Sequence, residues 1–138
     1  MLDSEFLKDI EALCEATAMN FAQVTSELEN LFGEDVIVSF IITYGSNPSF
    51  PDNLGEIFAL SEQCLYDYEI GKNGALCHTL FLDSISEITE GSLEDGFLDF
   101  HFHSSGSAGL VLIEKKDKKD EIRRFCAEVK GRILAKRG

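Results

Sequence analysis

The sequence predicts an α+β fold: short antiparallel strands closing, or nearly closing, into a bent barrel, one C-terminal helix capping it, and an added N-terminal helical segment. Three observations carry this reading. Apolar residues Ile122, Phe125, Cys126, Val129 and Ile133 recur at spacings of three and four, which places them on one helical face. Between Gly55 and Ile113, short β-prone runs alternate with turn-sized polar segments. Residues 4 to 32 carry a second helical stripe, Phe6, Ile10, Leu13, Phe21, Val24, Leu28 and Leu31, ending at Gly33.

Taken in order, Asp3 or Ser4 can cap the first helix, and the pattern drifts between Thr17 and Asn20, so either one long helix or two joined near Asn20 is expected. Leu7, Cys14 and Phe32 widen the stripe, which favours packing against the body or a partner over a free coiled coil. Residues 1–33 are thus read as an extension, with homo-oligomerisation through it a possibility, and 34–138 as the barrel with its helix. Asp35 to Tyr44 has apolar residues on both alternating sets and reads as a strand covered on two faces. Gly45 to Asn53, with Pro48 and Pro51, is a loop. Further strands are expected at Glu56 to Leu60, Leu65 to Ile70, Leu76 to Asp83, Ile85 to Thr89, Phe97 to His103 and Leu110 to Ile113. Asp117 is the expected N-cap of the last helix, whose Lys130, Arg132, Lys136 and Arg137 gather where the helix dipole favours cations.

Composition bounds the function. A chain of 138 residues can bury one core without staples, and the longest apolar stretch, Val36 to Ile42, is far below the ~18 residues of a membrane span. No signal-peptide pattern opens the chain, so a cytoplasmic location is expected. Cys14, Cys64, Cys77 and Cys126 form no C-x-x-C pair; a two-residue turn at Asn73-Gly74 would set Cys64 opposite Asp83 and Cys77 opposite Ile70, and four reduced thiols are expected. Residues 1 to 113 hold 20 Asp and Glu against Lys8 and Lys72, a net of −18; residues 114 to 138 hold ten Lys and Arg against five acids, a net of +5. Such a body repels nucleic acid and anionic lipid and attracts basic partners.

The stretch Gly55-Glu56-Ile57-Phe58-Ala59-Leu60-Ser61-Glu62-Gln63-Cys64-Leu65-Tyr66-Asp67-Tyr68, and Thr79-Leu80-Phe81-Leu82-Asp83-Ser84-Ile85-Ser86-Glu87-Ile88 with its D-x-I-x-x-I phrase, resemble the pleckstrin-homology-like (PH-like) superfold, in particular its GRAM and bacterial PH-like branch, over about residues 34 to 135. The resemblance implies a seven-stranded bent barrel plugged by the C-terminal helix and used for phosphoinositide or protein binding. That family commonly places cations in the turn where this chain has Glu62, Gln63 and Cys64, and anion binding needs several converging donors.

No catalytic constellation is written in the chain. Asp99, His101 and His103 alternate with Leu98, Phe100 and Phe102, and such a face can chelate zinc, with His78 the candidate for a fourth ligand, but the solvent-facing side of a half-buried strand is the favoured explanation of the pattern. Ser105 to Gly109 is neither a P-loop nor a nucleophile elbow, and Glu87, Glu90, Glu94 and Asp95 match no EF-hand spacing. The expectation is a non-enzymatic module without cofactor or metal that binds a protein, with Phe50, Lys72, Lys115, Lys116, Lys118 and Lys119 as contacts. A small acidic chaperone or immunity-like protein masking a basic client is the alternative, and membrane binding through the basic last helix is the second.

Overall fold

The computed structural model describes residues 2–44, 52–92, 98–104, 107–114 and 119–137, with the backbone alone at 92, 98–100, 104, 107–114 and 119. Helices α1 (Ser4–Thr17) and α2 (Phe21–Phe32) precede strands β1 (Ser39–Tyr44), β2 (Asn53–Leu60), β3 (Cys64–Gly71) and β4 (Gly74–Phe81). A short 3-10 turn, Leu82–Ser84, leads to β5 (Ile85–Ser92), β6 (Leu98–Ser104) and β7 (Ser107–Glu114), and α3 (Lys119–Arg137) follows. All strand pairs are antiparallel, in a four-stranded sheet β1-β2-β3-β4 and a three-stranded sheet β5-β6-β7.

The helical segment is two helices. Asp3 caps α1, its Oδ1 accepting from Phe6 N at 2.8 Å, and Ala18 in the left-handed conformation (φ 57°) ends it. Asn20 then caps α2 by accepting from Gln23 N at 2.9 Å, and Gly33 (φ 60°) closes it. The apolar stripe meets the outer face of the four-stranded sheet. Phe6, Ile10, Leu13, Val24, Leu28 and Phe32 pack there against Ile42, Ile57, Ala59, Tyr66, Tyr68 and Ile70. Gly55 sits where α1 crosses β2, since a Cβ there would stand 2.7 Å from Leu13 Cδ1. Tyr68, fully buried, donates its hydroxyl to Glu27 Oε2 of α2 at 2.6 Å, and Tyr66 donates to Asp35 Oδ2 at 2.7 Å. In both, burial and the neighbouring carboxylate push the phenol pKa upward.

The inner face of the same sheet builds a second core. Ile41, Phe58, Leu60 and Leu65 meet Leu82, Ile85 and Phe102 from the rest of the chain, and Ile122, Phe125, Cys126, Val129 and Ile133 from α3 close that core. The helix therefore docks by the stripe its spacing predicts. Its cations reach back to the body: Arg132 approaches Glu62 at 4.0 Å, Lys136 donates to Gln63 Oε1 at 2.8 Å, and Arg137 donates to Ile85 O. Asp117, the expected cap, lies outside the described residues.

Several boundaries differ from the sequence reading. Asp35 to Val38 is outside the β1 ladder apart from Val38 N bonding Leu60 O at 2.8 Å, and Val36 is 72% exposed. The run Leu76 to Asp83 is strand only to Phe81, because the chain turns at Leu82 to enter β5, and β5 extends past Thr89 to Ser92. The β3–β4 turn is Lys72-Asn73, with Gly71 paired to Gly74, so Cys64 faces Phe81 and Cys77 faces Tyr68. Gly74 takes the positive φ of 139° that an L residue avoids, which places it on the strand side of the turn. All four thiols are free; Cys14, Cys64 and Cys126 are buried and Cys77 is exposed. Burial raises the pKa of Cys14, Cys64 and Cys126, that of Cys126 to about 12.

Candidate functional site

On the inner face, β3 alternates Leu65, Asp67 and Glu69, so a strand that begins in the core ends in carboxylates. The register sets Asp67 opposite His78 of β4 and Phe58 of β2, and Glu69 opposite Glu56. Asp67 is 3% exposed. Its carboxyl is hydrogen-bonded to that of Glu56, which in turn accepts from Asn53 Nδ2 at 2.7 Å. Asp67 Oδ1 has no hydrogen-bond partner among the described residues. Ligand atoms of Asp67, Glu69 and His78 all lie within 4.8 Å of one another.

Burial, then the bond to Glu56 and the charges of Glu56 and Glu69, push the Asp67 pKa up to about 11. Burial likewise raises Glu56. Asp67 thus takes up a proton on folding at any pH between its unfolded value near 3.8 and about 11. Because the folded state binds the extra proton, this group makes stability fall as pH rises through that window. Asp67→Asn, neutral and nearly isosteric, removes that slope. It is expected to be more stable than the parent at pH 8, on the order of 1–3 kcal/mol for relief of a poorly satisfied buried group, with the difference shrinking toward pH 4. Urea titrations at the two pH values in EDTA check this; a destabilised variant at pH 8 would rule it out.

A second feature is a groove of about 910 Å³ between α1, the 33–42 segment and α3. Phe40, Ile41 and Phe125 line it together with Val36 and Val38, which are 72% and 42% exposed. Seven carboxylates also line it, from Asp3, Asp9 and Glu34 on one side to Glu121 and Glu128 on α3, against the single Arg124 among the described residues.

The residues singled out from sequence fall elsewhere. Phe50, Lys115, Lys116 and Lys118 lie outside the described residues, and Lys119 opens α3 with only its backbone described. Lys72 is exposed in the β3–β4 turn, 3.4 Å from Asp52. His101 and His103 stack on β6 with ring centroids 5.7 Å apart, and His103 Nε2 lies 3.2 Å from Thr89 Oγ1; the Asp99 side chain is outside the described set. His78 is on the other sheet, across from Asp67, and groups with Asp67 and Glu69. Glu87 and Glu90 lie on β5, while Glu94 and Asp95 are outside the described residues. Among the described residues, no helix is long and apolar enough to cross a membrane. Compared with protein-family models, with curated proteins and with solved structures, the chain matches none.

Proposed function

We propose that this chain is a non-enzymatic PH-like binding module whose partner is a protein, and that the partner's basic, apolar segment lies in the groove between α1 and α3. Two faces of support meet here. The strand order, the core shared by both sheets with α3, and the approach of β1 to β7 favour a bent barrel of the PH-like kind. The observation that carries the binding reading is the groove: exposed valines beside half-buried Phe40 and buried Phe125, rimmed by carboxylates. A partner's lysines or arginines would be steered by that rim, and its apolar side chains would cover the exposed Val36 and Val38. The acidic chaperone-like alternative shares this charge logic but lacks a use for Val36 and Val38.

The experiment is fluorescence polarisation with a labelled 12-residue peptide alternating Lys and Val, and its Glu-Val counterpart. Binding of the Lys-Val peptide is expected, weakened roughly tenfold between 50 and 500 mM NaCl and at least tenfold by the double substitution Val36→Ser, Val38→Ser. Equal binding of both peptides, or no effect of the valine substitutions, would reject the groove. Salt-sensitive flotation with vesicles of phosphatidylserine and phosphoinositides, lost on neutralising Lys115, Lys116, Lys118 and Lys119, would replace it by the membrane reading.

A further inference from the structure

We propose that Asp67, Glu69 and His78 form a site for a divalent transition-metal ion, zinc in the first instance, on the inner face of the β3–β4 hairpin. The site does not depend on the groove, which none of its three residues lines.

Geometry comes first. Asp67 and Glu69 are two apart on β3, so both point to one face, and His78 is the direct cross-strand neighbour of Asp67. Their ligand atoms fall within a 4.8 Å sphere of mutual distances. Ligands at about 2.1 Å from a zinc ion stand roughly 3 to 3.5 Å apart, so modest side-chain rotations complete the set. Two of the three residues sit on a central strand whose paired neighbours, β2 and β4, fix the backbone.

The second argument is the state of Asp67. A carboxyl buried to 97% with an oxygen that finds no hydrogen-bond donor is costly in an ordinary fold. That oxygen belongs to a residue of the cluster, and Lys72, in the turn of the same hairpin, pairs with Asp52 instead. A metal ion that displaces the carboxyl proton gives that oxygen its partner. Glu56, bonded to Asp67 and held by Asn53, stands behind the set as the group that orients the buried ligand.

Ligand chemistry narrows the ion. Calcium and magnesium prefer six or more oxygens, whereas one imidazole with two carboxylates suits zinc and its first-row neighbours. The set grades outward from buried Asp67 to the more open His78, which leaves positions for water or an exchangeable ligand.

The test uses the full chain, stripped with EDTA, dialysed, and titrated with zinc chloride by calorimetry and thermal melting. One zinc per chain is expected, with a rise in Tm of roughly 5 to 10 °C at a hundredfold excess over Kd. Asp67→Asn and, separately, His78→Gln should weaken binding at least tenfold. His78 lies on edge strand β4, so its variant keeps the fold even where a core change would not. Cys77→Ser and the His101→Ala, His103→Ala double variant should bind as the parent does. Absence of binding at 1 mM zinc, unchanged affinity in both Asp67→Asn and His78→Gln, loss in the Cys77 or the His101/His103 variants, or calcium binding as tightly as zinc would each overturn the assignment.

Discussion

Deleting residues 1 to 33 is expected to abolish cooperative folding. From the sequence, this segment is an addition to a self-sufficient barrel, and its loss would leave a folded but aggregation-prone remainder. The packing changes that expectation. The sheet is covered on both faces, and α1 and α2 supply one side of a core that includes Ile42, Ile57, Tyr66, Tyr68 and Ile70. Exposing a large apolar side chain costs about 1.5–3 kcal/mol, so uncovering five costs on the order of 10 kcal/mol. Net stabilities of domains are about 5–15 kcal/mol, so the loss is as large as the whole. The tyrosine hydroxyls lose partners too, since Glu27 leaves with α2. Thermal melts followed by far-ultraviolet circular dichroism check this: a cooperative transition within about 10 °C of the full chain would return the helices to the status of an extension.

What was legible in the sequence follows from how local each signal is. The face of α3, the Asp3 cap and the Gly33 stop depend on residues within a turn or two, and the structure has them where the spacing puts them. The double coverage of the sheet was half visible. Asp35 to Tyr44 shows apolar residues on both sets, and Phe40 and Ile42 do face the helices while Ile41 faces α3. In β3 the same information was hidden by chemistry, because Tyr66 and Tyr68 are polar-tipped and their hydroxyls donate to carboxylates 31 and 41 positions away. No local pattern announces such partners.

The carboxylate cluster was missed for a different reason. A turn centred on Asn73-Gly74 sets His78 opposite Glu69 and leaves Asp67 facing Leu80, an unremarkable pairing. The actual turn, one residue earlier, slides β4 by two positions and brings His78 onto Asp67. A shift of two preserves which face each residue occupies, so hydrophobic alternation cannot detect it. The signal that could have found the site was a short charged residue, Asp67, between two tyrosines in the most apolar hairpin of the chain. On β6, by contrast, His101 and His103 have the motif-like spacing, and the structure gives His103 a bond to Thr89 in their own sheet.

Phe125→Ala should be the most damaging single substitution on α3. Phe125 is 3% exposed and stands in the core that joins both sheets, among Ile41, Phe58, Leu82 and Phe102. Removing a buried ring loses its transfer free energy and leaves a cavity that close-packed neighbours fill only in part, typically 3–5 kcal/mol in sum. For a chain of this size that corresponds to a fall in Tm of roughly 10 °C. Phe125→Leu, which keeps most of the volume, should cost less than about 1.5 kcal/mol. Phe125 also lines the groove, so the alanine variant should lose the Lys-Val peptide at temperatures where it is still folded. Urea unfolding of the two variants gives the stability difference directly; a cost below about 0.5 kcal/mol for alanine, the size of a surface change, would mean that α3 is not anchored through this ring.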